Sequence, residues 1–203
     1  MLEMELSPLA RERLAKIGEL SSAEKERLKF SEQLTAVLAD YFTDKLNADE
    51  LWLKLKEFKD RGQEFMVKEA QLRLLSAVSL GGSNLDFERC RRGILACETL
   101  QERNRCTELE LALDSMEALR QQYQREKEET FNSMREGIQK QVEMAVRQVV
   151  RQVGNRKVAV DVDGSVEASV KASPQWREFL MKHEKVFNEK FDAYLAKVRM
   201  LIQ

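Results

Sequence analysis

The chain has 203 residues, with 34 Lys plus Arg against 35 Asp plus Glu and a formal charge of −1. Charged residues make up 34% and hydrophobic ones 43%, with 8 Gly and only 2 Pro. That leaves too few turn formers for a sandwich or barrel and too much apolar material for a disordered chain. The near-zero charge gives no overall attraction to nucleic acid or an anionic membrane. No apolar run approaches the roughly 18 residues of a membrane span. The acidic start, Met1 to Glu5, lacks the basic region of a signal peptide. Three cysteines without a Cys-x-x-Cys pair argue against a disulfide framework. The expected class is an all-α, soluble, cytoplasmic protein.

Ser7-Pro8 reads as an N-cap followed by proline at the first helical position, opening a short helix that ends before Gly18. Ser21 and Glu24 form a capping box for a second helix to about Lys45, with Phe30, Leu34, Val37, Leu38 and Tyr41 on its apolar face. Asn47 and Glu50 form another, with Leu46 and Leu51 at the staple positions. The third helix is expected to run to about Leu80, weakened at Gly62 and ended by Gly81-Gly82. Short connections predict that these three helices pack antiparallel as a unit over 1–82.

The second unit spans 83–203. Ser83 or Asn84 caps a helical pattern from about Leu85 to Val153, long enough for a coiled coil or a projecting arm. Gly93 and Gly137 are its candidate weak points. The apolar series Leu109, Ala112, Met116, Leu119 and Tyr123 follows heptad spacing. From Phe131 the series Met134, Ile138, Val142, Ala145, Val149 and Val153 follows an eleven-residue repeat.

Gly154-Asn155 breaks this pattern. Val158 to Val162 and Val166 to Val170 alternate with period two around Asp163-Gly164, which predicts a small β-hairpin over about 157–171. A three-residue loop, Val162-Asp163-Gly164, keeps the apolar residues on one face. Ser173-Pro174 opens a last helix to about Ile202, with the stripe Trp176, Leu180, His183, Phe187, Phe191, Tyr194, Val198 and Ile202. This stripe has the same eleven-residue rhythm as the one before the hairpin. It predicts antiparallel packing with Val153 near Trp176, Val149 near Leu180, Val142 near Phe187 and Phe131 near Val198.

No constellation of catalytic chemistry emerges. Cys90 and Cys97 share a helix face but Cys106 does not, and four tetrahedral zinc ligands cannot be assembled from them. His183 lies on an apolar stripe and reads as a packed histidine. Asp161 to Ser165 resembles a calcium loop only in passing, since Ala159 and Val170 stand where acids are needed. No catalytic, cofactor-binding or metal-binding residue is assigned, and no cofactor is expected.

The candidate interaction residues are Trp176, Leu180, Phe187, Phe191, Tyr194, Ile138, Val142 and Val149. A basic stretch comprises Lys140, Arg147, Arg151, Arg156 and Lys157, partly explained by the helix C-terminal dipole. The function expected from this pattern is that of a non-enzymatic helical interaction or scaffold protein. It would bind protein partners and self-associate through leftover apolar stripe, with no membrane insertion and with nucleic acid disfavoured. The alternatives are a holdase-type chaperone with helix–hairpin–helix arms and a nucleic-acid-associated protein.

Overall fold

The computed structural model describes residues 22–103, 105–153 and 162–203, and the expected first helix at Ser7-Pro8 lies outside them. Among these residues seven helices follow in order: α1 Ser22–Phe42, α2 Ala48–Asp60, α3 Phe65–Ser76, α4 Asn84–Thr99, α5 Cys106–Val153, α6 Val162–Ala172 and α7 Pro174–Ile202. There is no strand among the described residues, and the fold is all-helical.

The cap chemistry is local and explicit. Asn47 Oδ1 accepts from the backbone N–H of Asp49 and Glu50, both at 2.9 Å, while Glu50 Oε2 accepts from Asn47 N–H at 2.8 Å. The box satisfies donors that a helix start would otherwise leave unpaired. Ser83 Oγ and Ser173 Oγ cap α4 and α7 in the same manner, and Pro174 sits at the first turn of α7.

Two helices expected to be continuous are broken. The helix expected to run from Ala48 to Leu80 stops at Asp60, because Gly62 adopts φ 79°. Gly62 N–H donates to Lys59 O, and Gln63 N–H donates to Phe58 O. This paired closure needs a left-handed residue, which glycine supplies without strain. The helix expected from Leu85 to Val153 breaks between Leu100 and Arg105 rather than at either glycine. The polar run Gln101-Glu102-Arg103-Asn104-Arg105 interrupts the apolar period there, and Glu98 Oε1 accepts from Arg105 N–H at 2.9 Å. Gly93 lies inside α4, where an added Cβ would stand 2.8 Å from Leu74 Cδ1. Its role is close packing.

The predicted β-hairpin is replaced. Residues 157–161 lie outside the described residues, but the second expected strand forms part of α6. Val166 and Val170 share a face under either a period of two or a helical step of four, so alternation could not separate the two readings. Helix wins because Val166 and Val170 are buried at 1% and 0% exposure while Ala168 points outward. Glu167 and Lys171 also pair at the i,i+4 spacing, 3.6 Å apart.

One apolar cluster gathers residues from α1 to α5 and from α7, including Leu34, Leu55, Leu74, Ile94, Leu113, Met116 and Val198. α7 runs antiparallel to α5, with Arg105 Nη1 donating to Leu201 O at 2.9 Å and Phe131 meeting Trp176 at a ring distance of 5.2 Å. The register differs from the predicted one. Phe131 faces Trp176 instead of Val198, a slide of 22 positions along α7, and Phe187 faces Tyr123 instead of Val142. A slide of 22 is two eleven-residue repeats, which returns the same stripe to the same face. α6 packs against α5 and α7 in the space that the predicted register gave to α7.

Candidate interaction surface

The seam between α5 and α7 is an aromatic ladder. Phe131 meets Trp176 edge-on at 5.2 Å, Trp176 stacks on Phe179 at 5.4 Å, and Phe179 stacks on His183 at 4.9 Å. His183 in turn stacks on Tyr123 at 5.1 Å and tilts against Phe187 at 4.5 Å. The rings come from both helices because α5 and α7 approach along matched stripes.

His183 is 8% exposed and bonds to α5 through its Nε2, 3.2 Å from Tyr123 O. A carbonyl only accepts, so Nε2 carries the proton in this contact. Nδ1 faces Glu126 Oε2 at 3.6 Å. Tyr123 donates its hydroxyl to Glu184 at 3.4 Å. Burial, then the Glu184 charge, pushes its phenol above the ordinary value.

Beside the ladder lies a groove of about 460 Å³ with Phe131, Trp176 and Leu180 on its walls and Lys127 and Lys171 among its polar residues. A second cavity of about 230 Å³ lies where the ends of α2, α4 and α7 converge. Lys59 donates to Leu100 O at 2.6 Å, Arg105 to Leu201 O, and Lys68 to Gln203 O at 3.4 Å. These cations serve helix C-terminal carbonyls, which carry the negative end of each dipole. The buried Glu98 is held by Gln71 Nε2 at 3.0 Å and by Arg105 N–H, so it closes the α4–α5 turn.

Cys90 and Cys97 are not placed for reactivity. Both are buried. Burial, with Asp86 adding, pushes the Cys90 thiol up to about 11, and burial with Glu98 raises Cys97 too. Burial and the neighbouring Cys90 and Cys97 push Tyr41 up to about 12. The thiolate, which is the nucleophile and the metal ligand, is therefore disfavoured at neutral pH at Cys90 and Cys97. Among the described residues no group of three or more His, Cys, Asp or Glu is placed to hold a metal ion.

These shifts imply an alkaline weakness. The folded state prefers the neutral thiol, so its contribution is complete below the ordinary thiol value of about 9 and is lost as pH rises toward the folded value. Urea unfolding at rising pH should show stability falling above about pH 9, by about 1.4 kcal/mol per pH unit for each such group. The Cys90→Ala variant should show a shallower fall. An identical slope in the variant would remove Cys90 as a cause.

The structure divides the predicted interaction residues. Trp176, Phe187 and Phe191 are buried, while Leu180, Tyr194, Ile138 and Val142 are half-buried. Val149, Arg147 and Arg151 fall on the α5 backbone, Lys140 is exposed on it, and Arg156 and Lys157 lie outside the described residues. Phe179 and Tyr123 belong to the ladder but were not singled out as contact residues. Phe179 sits one position before Leu180 and so off the strict stripe, and Tyr123 ends a heptad series that looked separate. The buried Arg120 also went unread, since an arginine in a charge-rich helix gives no signal of burial.

The described elements define an all-helical protein in which a 48-residue helix, embedded at its start, is paired in antiparallel with the last helix. No described helix is long and apolar enough to cross a membrane. A family model matches residues 52–203, and the chain belongs to that family, described as a family of unknown function (DUF6657). No curated protein and no solved structure matches the chain.

Proposed function

We propose that the protein is a non-enzymatic cytoplasmic scaffold that presents the distal part of α5 to a protein partner. The observation that carries this reading is the change of environment along one continuous helix. Leu109, Leu113, Met116 and Tyr123 are buried, whereas no residue from Gln124 to Met144 is fully buried. At 1.5 Å per residue the 48 residues of α5 span about 72 Å, far more than its buried start requires. Its half-buried residues Phe131, Met134, Ile138 and Val142 lie along one stripe of the same stretch, where among the described residues α6 and the beginning of α7 lie alongside. A surface held rigidly away from the core suits contact and spacing rather than chemistry.

A photo-crosslinking amino acid placed in the full chain at Gly137, Lys140 or Met144 tests this in the producing cell. All three positions should give the same discrete protein adduct, and the exposed Glu57 on α2 should not. The absence of any product specific to α5 would sink the reading.

A further inference from the structure

We infer that the exposed face of α5 pairs antiparallel with the same helix of a second copy of this chain. The inference rests on the reading of α5 as a contact surface and names its partner. α5 is electrically bipolar. From Cys106 to Thr130 it carries seven carboxylates against three cations, and from Phe131 to Val153 four cations against two carboxylates. One of the three cations, Arg120, is buried at 3% exposure, which leaves the outer face of the first half more acidic still.

The acidic excess is visible in the contacts. The single guanidinium of Arg91 faces Glu88, Glu110, Asp114 and Glu117, so four carboxylates share one cation. The basic half of the same helix begins tens of ångströms away. Glu108 and Arg147 are 39 residues apart, about 58 Å along a helix, and no bend in α5 brings them together. A second copy related by a two-fold axis near the middle of α5 does so twice, because an isologous contact repeats every pairing.

The uncharged positions agree with that axis. Leu111 is 63% exposed and Met144 58% exposed, near opposite ends of the helix. An axis passing between Lys127 and Glu128 sets Leu111 beside the partner's Met144. The same axis sets Ala118, also exposed, beside the partner's Gly137, where nothing stands within 4 Å of a Cβ position. Small residues at that crossing let the backbones approach. Single exposed apolar residues are ordinary. Their coincidence with opposed charges under one symmetry operation selects a second copy over an unrelated partner.

Light scattering on the full chain over a concentration series tests the pairing. The wild type should show a dimer that weakens in about 1 M salt, where charges are screened beyond ~3 Å. The pair Lys140→Glu with Arg147→Glu should weaken dimerisation at least about tenfold, as should Glu108→Lys with Glu110→Lys, because each sets like charges opposite one another. All four substitutions in one chain should restore the dimer, which separates lost complementarity from a folding defect. A monomer at every concentration, or a dimer indifferent to both pairs, overturns the inference. A monomer that still gives a discrete adduct from α5 with another protein also overturns it, and leaves the scaffold reading standing.

Discussion

Phe187→Ala should destabilise the fold by about 3–5 kcal/mol, the range for emptying a buried phenylalanine site. Phe187 is 3% exposed, and its ring touches both Tyr123 at 5.6 Å and His183 at 4.5 Å. Truncation leaves a void between α5 and α7 that neither straight helix can collapse to fill, so the transfer and cavity terms add. Lost aromatic contacts contribute about 0.5–1.5 kcal/mol of that total. Phe187→Leu should recover more than half of it, since volume and apolar character are largely kept. Urea unfolding followed by far-UV circular dichroism checks both variants. A loss below about 1 kcal/mol for the alanine variant would show that this part of the seam is not packed as described.

Arg120→Ala should cost about 2–3 kcal/mol in the same measurement. Arg120 reaches from α5 to the turn between α3 and α4, where its Nε donates to Ser79 O at 3.0 Å. Its Nη2 donates to Gly82 O at 2.5 Å and Ser83 O at 3.1 Å. Its guanidinium also lies over the Phe87 ring at 4.6 Å. Removing it strips three carbonyls of a charged donor in a place water reaches poorly. One term opposes this: Nη1 is buried without a partner, and its loss relieves a desolvation cost. Three charge-assisted bonds outweigh one unpaired N–H. Arg120→Lys should fall between the two, because a single ammonium cannot span three carbonyls in the geometry of a planar fork.

Local chemistry was the most legible part of the sequence. The caps at Asn47, Ser83 and Ser173 are written in two or three adjacent residues, and the corresponding helices start there. Partner choice along a repeating stripe was not legible. Trp176 and Phe187 are buried residues of the apolar stripe, yet an eleven-residue repeat offers several registers of similar quality. Contacts outside the stripe, such as Arg105 with Leu201 O, fix which one forms. The segment from Val166 to Val170 failed for a related reason. Five residues cannot separate a period of two from a helical step when the deciding contact lies on α5 or α7. The break at Leu100–Arg105 needed neither glycine nor proline, and its sign was five consecutive polar residues after Leu100.

The hydrogen bond between Arg105 and Leu201 joins positions 96 apart in the chain. Pairs such as α2–α3 and α3–α4 can meet within a few dozen residues, so their contacts close cheaply and early. Downstream, α5 packs against α6 and then α7. Its seam with α7 closes only after residues through Ile202 have been made and α7 lies back along it. Birth of this protein on the ribosome therefore passes through a state in which Leu109, Leu113 and Met116 lack α7, and the closing step carries the larger loop-closure cost. Substitutions that loosen α7 would act on yield during synthesis before they act on the finished fold.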